Sequence, residues 1–145
     1  MGTEVTVRSR PGTAWTTEIE AANHAWLADE PAAANGDDLG PTPYDLLLAA
    51  LGSCTTMTLH SYARRKRWPL DRVTVRLRHE RHAAPSGDGR STVRWEEIRR
   101  EIDLVGSLDG EQRARLLEIA SRCPVHRTIA GDLRVIDEMV ESVPV

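Results

Sequence analysis

An α+β fold is predicted by three features of the sequence. A helical periodicity runs from about Pro43 to Arg67, alternating stretches that read as strands flank it on both sides, and a second amphipathic helix begins after Asp109. With 145 residues, no internal repeat and no coiled-coil heptads, residues 1–145 are expected to form a single domain.

The strands come first. Glu4-Val5-Thr6-Val7-Arg8 alternates with period two, Pro11-Gly12 marks a turn, and Thr17–Glu20 and Ala25–Ala28 supply two further strand candidates. From Asp29 to Pro43 the composition shifts to Pro, Ala, Gly, Asn and Asp, which predicts a mobile loop over residues 29–43.

The long helix follows. Pro43 suits a first helical turn, and Asp45 sets negative charge at the positive end of the helix dipole. Leu47, Leu51, Cys54, Met57 or Thr58, and Tyr62 recur at spacings of three and four, while Leu46, Leu48, Ala49 and Ala50 widen the apolar cover of the N-terminal half. A helix apolar on nearly every side is expected to be buried there. Arg64, Arg65, Lys66 and Arg67 place cations at the other end, and Pro69 forbids continuation.

Beyond it, Val73, Val75 and Leu77 alternate with Thr74, Arg76 and Arg78, the pattern of a strand with one buried face. Residues 83–89 (AAPSGDG) read as a hairpin loop. A second strand, about Thr92 to Val105, turns Ile98, Ile102 and Leu104 inward, with Arg100 interrupting that face. Asp109 and Gln112 match a capping box ahead of an amphipathic helix that reaches Ala120. That helix runs into Cys123-Pro124, and Leu133 to Val140 reads as a last short strand.

Composition narrows the partners. A net charge of -3 leaves no basic footprint for nucleic acid. The longest apolar run, Leu46 to Leu51, is far short of the ~20 residues that span a bilayer, and the N-terminal MGTEVTVRSRPG has no signal-peptide core. A cytoplasmic protein with no membrane partner is expected, in which a disulfide would be transient. Phe is absent, so the core must rest on Leu, Val, Ile and Ala.

Chemistry centres on the two cysteines. Cys54 lies mid-helix on an apolar stretch after Gly52-Ser53, and the glycine is expected to open space for a partner or ligand. Cys123 stands before Pro124 at a first helical position, near free backbone N–H groups and between Arg122 and Arg127, a setting that favours a thiolate. Each alone also fits a buried structural cysteine. There is no Cys-x-x-Cys, which removes a thioredoxin-type reading. Zinc on Cys54, His60, Cys123 and His126 is disfavoured because residues six apart lie on different helix faces, and no metal is expected. A hydrolase with Cys123 as nucleophile and His126 as base lacks an orienting group and an oxyanion hole. As a pair the cysteines suit a peroxidatic and resolving couple, in which a thiolate becomes a sulfenic acid and a second thiol condenses with it.

The stretches Pro43 to Leu59 (PYDLLLAALGSCTTMTL) and Cys123 to Ile129 (CPVHRTI), in this order and spacing, resemble the OsmC/Ohr family of stress-related peroxidases. The resemblance extends over nearly the whole chain. It implies an antiparallel sheet with a long buried central helix, two intertwined subunits in a homodimer, and active sites at the subunit interface. It also implies Cys54 as peroxidatic and Cys123 as resolving cysteine, organic hydroperoxides as substrate, no bound cofactor, and an external dithiol such as dihydrolipoamide as reductant. Members with that activity hold the thiolate with an Arg, which a Glu ten residues before the first cysteine orients. Here Tyr44 stands at that position, followed by Asp45, and this Tyr-Asp variant resembles a subgroup of the family. Asp45 is expected to take the carboxylate's part and Arg10 the guanidinium's, with Arg8 as alternative. Tyr44, Leu51 and Met57 are expected against the substrate. The other reading is a non-catalytic protein that binds an apolar or thiol-containing small molecule on the same fold.

Overall fold

The computed structural model describes residues 2–142. Its N-terminal alternation becomes three strands, β1 (Thr6–Ser9), β2 (Thr17–Ala21) and β3 (His24–Ala28), joined as an antiparallel sheet in the order β1-β2-β3. Ile19 of β2 lies opposite Val7 on one side and Trp26 on the other, and it is buried. A single 3-10 turn at Ala32–Ala34 interrupts the loop that leads to α1 (Pro43–Lys66). Two long strands, β4 (Leu70–Pro85) and β5 (Thr92–Gly106), pair as a hairpin, and α2 (Gly110–Ala120) and α3 (Pro124–Ile129) complete the chain. The mixed α+β expectation is met. Among the described residues no helix is long and apolar enough to cross a membrane.

Both ends of α1 are closed by local chemistry. Thr42 Oγ1 accepts from Asp45 N–H (3.2 Å) while Asp45 Oδ2 accepts from Thr42 N–H (2.9 Å), a reciprocal capping pair around Pro43. At the C-terminus Arg67 takes a left-handed φ of 57°. Trp68 N–H then donates to Ala63 O (2.8 Å) and Arg67 N–H to Arg64 O (3.1 Å), the Schellman arrangement, with Pro69 next. The box predicted for α2 also forms, with Asp109 Oδ1 accepting from Gln112 N–H (2.8 Å) and Gln112 Oε1 from Asp109 N–H (3.0 Å).

The chain divides into two compact units, Met1–Ser53 with Val75–Glu101, and Cys54–Thr74 with Ile102–Val145. In the first, the Asp29 carboxylate is buried and organises the loop before α1. It accepts from Thr16 Oγ1 (2.8 Å), Glu30 N–H (2.8 Å) and Leu39 N–H (3.3 Å), and Asp29 N–H donates to Pro41 O (3.1 Å). In the second, Leu59, Tyr62 and Ala63 of α1 pack with Leu116, Ile119 and Ala120 of α2. Trp68, Leu70, Val73, Ile102, Leu104 and Leu108 surround them. Leu59 and Leu116 are wholly enclosed, which at roughly 1.5–3 kcal/mol each makes this cluster a main source of stability.

Three sequence expectations change. The residues from Leu133 to Val140 form no strand, because among the described residues no strand edge pairs with them, and Val135, Ile136, Met139 and Val140 stand exposed. The hairpin loop begins later than expected. β4 continues through Pro85 and the turn is closed by Ser86 N–H donating to Ser91 O (2.8 Å). Within this chain α1 buries one stripe, Leu51, Thr55, Leu59, Tyr62 and Ala63, and leaves Tyr44, Leu47 and Met57 exposed.

Candidate active site

The two cysteines, 69 positions apart in sequence (123 − 54), fall in the same compact unit, and both are free thiols. Cys123 is the N-cap residue of α3, with extended backbone (φ −61°, ψ 139°) and Pro124 at the first helical turn, as the sequence predicted. Its Sγ accepts the His126 N–H at 3.2 Å, so the sulfur takes the place that a Ser or Asp oxygen fills at other helix starts. The side chain is completely buried. Cys54, on α1 between the buried Leu51 and Thr55, is partly exposed. Of the two, Cys54 is the more exposed residue, and Cys123 is enclosed.

Gly52 does not leave a vacancy beside Cys54. A Cβ there would lie 2.8 Å from Leu77 Cδ1, so the missing side chain is what lets β4 approach α1. The expected opening for a ligand is already filled by Leu77.

A second polar cluster lies in the other unit, around Tyr44. The Tyr44 ring stacks on His79 (centroids 4.5 Å apart, planes at 22°) and its hydroxyl accepts from Arg81 Nη2 at 2.8 Å. Arg81 Nε donates to Glu96 Oε1 (3.2 Å), which also takes His79 Nε2 at 2.8 Å. The hydrogen bond from His79, then that from Arg81, holds the Glu96 carboxyl below the usual carboxylate range. The Tyr44 and Glu96 hydrogen bonds raise Arg81 above the ordinary guanidinium value. Arg81, His79 and Glu96 were not singled out by sequence. The available signal was the spacing of His79 and Arg81, which puts both on one face of a strand.

The remaining expected residues have these places. Arg10 Nε lies 3.6 Å from Glu18 Oε1 and Arg8 Nη1 2.9 Å from Glu20 Oε2, both pairs exposed on the β1–β2 ladder. Asp45 caps α1 through Thr42. Leu51 is buried, whereas Met57 is 70% exposed.

The family model for OsmC-like proteins matches residues 36–136, and the chain belongs to that family. The fold is shared with solved structures at low identity. An OsmC-like protein from Mycoplasma pneumoniae is 18% identical, with a TM-score of 0.71, over 91% of this chain and 89% of that one. An organic hydroperoxide resistance protein, OsmC, from Legionella pneumophila is 16% identical with a TM-score of 0.65 over 92% of both chains. The organic hydroperoxide resistance protein OhrB of Bacillus subtilis is 19% identical with a TM-score of 0.58 over 92% of this chain and 93% of that one. No curated protein sequence matches.

Proposed function

We propose that this OsmC-like protein is a thiol-dependent peroxidase for organic hydroperoxides, with Cys54 as the attacking and Cys123 as the resolving cysteine. The observation that supports the reading is a partly exposed Cys54 and an enclosed, hydrogen-bonded Cys123, both free thiols in one compact unit. The Cys54 thiolate attacks the distal peroxide oxygen. The S–O bond forms as the O–O bond breaks, and the leaving alkoxide takes a proton to become the alcohol. Cys123 then attacks the sulfenic sulfur, forming the S–S bond and releasing water. The two electrons come from the two thiols, and an external dithiol such as dihydrolipoamide restores them by exchange. No bound cofactor or metal takes part in this cycle.

Tyr44 and Met57 are exposed and Leu51 is buried, and these are the residues assigned to an apolar peroxide. The protein acts as a homodimer. Tyr44, Leu47 and Met57, together with Val135, Ile136 and Met139, are apolar surface that a second copy would cover. Arg10, which here stands against Glu18, is the guanidinium assigned to the thiolate, and Asp45, which here caps α1, is the carboxylate assigned to orient it.

The test is steady-state consumption of cumene hydroperoxide with dihydrolipoamide, compared with hydrogen peroxide. Wild-type protein should turn over the organic peroxide and Cys54→Ser should not. Turnover by Cys54→Ser equal to wild type would remove Cys54 from the reaction and with it this reading.

A further inference from the structure

We infer that the face of the β4–β5 hairpin bearing Glu80, His82 and Glu97 is a binding site for a divalent transition-metal ion of the zinc type. Glu80 and His82 are two apart on β4, so their side chains leave the same face, and Glu97 of β5 joins them there. One oxygen of each carboxylate and a ring nitrogen of His82 all lie within 4.8 Å of one another.

The two separations from His82 are those of a coordination shell. Donors held 2.0–2.2 Å from a tetrahedral zinc ion are about 3.4 Å from each other. His82 Nε2 is 3.5 Å from Glu80 Oε2 and 3.4 Å from Glu97 Oε2. That separation is long for a hydrogen bond between nitrogen and oxygen; His82 Nε2 is shielded from water, makes no hydrogen bond of good geometry, and stands at ion-pair distance from both carboxylates. A shielded ring nitrogen that stands this far from two carboxylates, without a well-formed hydrogen bond to either, is satisfied by an ion held among them.

Two neighbours shape the site. Trp95 stacks on His82 (centroids 5.2 Å apart, planes at 20°) and fixes the direction in which Nε2 points. Arg99 places Nε 3.4 Å from Glu80 Oε2 and Nη2 3.5 Å from Glu97 Oε2, on the same two oxygens. Its side chain is more than half exposed, so it can swing into solvent when a metal arrives. Without the metal Arg99 is the cation that keeps the two carboxylates together. Two carboxylates and an imidazole supply mixed oxygen and nitrogen donors, which suit zinc. They also leave the fourth position of a tetrahedral ion open. The site is separate in its residues from the thiol chemistry above.

The experiment is calorimetric titration of Zn2+ into metal-free full-length chain carrying Cys54→Ser and Cys123→Ser, so that thiolates cannot bind the metal. One Zn2+ per chain should bind. His82→Ala and the isosteric Glu97→Gln should each weaken it at least ~100-fold, beyond the ~10–100-fold that loss of a supporting residue costs. Arg99→Ala, which removes the competing cation without touching a ligand, should tighten it. Absence of a saturable one-site isotherm would overturn the inference. So would an affinity left unchanged by both His82→Ala and Glu97→Gln, or weakened by Arg99→Ala.

Discussion

The Asp29 carboxylate is taken out of water on hydrogen bonds, with Thr16, Glu30 and Leu39 as donors. Burial alone would push its proton affinity up, but those hydrogen bonds together outweigh it and hold the carboxyl below its usual range. A carboxylate lowered on folding contributes stability that is fully present above its unfolded pKa and is lost as pH falls through the folded value. Asp29→Asn should therefore be less stable than wild type at neutral pH, and the gap should close on acidification. Urea unfolding at pH 7 and near pH 3 checks this; a gap of the same size at both would show that the charge is immaterial. The guanidinium is a second question at this scale. Arg10 pairs with Glu18 at the surface, a contact worth about 0–1 kcal/mol, so Arg10→Ala should leave folding nearly intact. With Arg10 as the group that activates Cys54, the same change should slow peroxide consumption by about tenfold or more, equivalent to ~1.4 kcal/mol of lost transition-state stabilisation. Arg81, held by Tyr44 and Glu96, is the control: loss of turnover in Arg81→Ala and not in Arg10→Ala would move the role to Arg81.

Helix ends were written more clearly than helix faces. Both capping boxes and the Cys123-Pro124 start follow from residue types at fixed offsets, and such local bonds survive whatever packs around them. The glycines carry a less visible meaning. Gly106, at the end of β5, has φ 153°, and a Cβ would stand 2.1 Å from the Pro69 carbonyl oxygen, which is backbone and cannot yield. Gly52 is in the middle of a helix, but the atom in its way is the tip of the Leu77 side chain. Gly106→Ala should cost about 2–4 kcal/mol. Gly52→Ala should change stability by less than about 1 kcal/mol, because the helix gains from alanine what Leu77 loses in turning aside. Thermal unfolding of both variants tests the order, and equal losses would contradict it.

At the level of the molecule, the α+β class, the long central helix and the strand hairpin were legible because periodicity and turn residues are local signals. The last strand was not, since a strand requires a partner edge and Leu133 to Val140 find none in the described chain. Cys54 inside a helix and Cys123 at a helix start were legible from their motifs, whereas the Tyr44–His79–Arg81–Glu96 cluster depends on the pairing of β4 with β5 and on the entry of α1, which no single segment encodes. The same applies to the buried Asp29, whose donors come from three separate stretches. Cycling of the cysteines is the claim on which the functional reading rests. Intact mass and free-thiol count should be taken on the reduced protein before and after one equivalent of cumene hydroperoxide. The account predicts rapid loss of both thiols and of two hydrogen atoms in mass, abolished in Cys54→Ser. Survival of both thiols in excess peroxide would contradict it and leave a protein that binds a small molecule without turning it over.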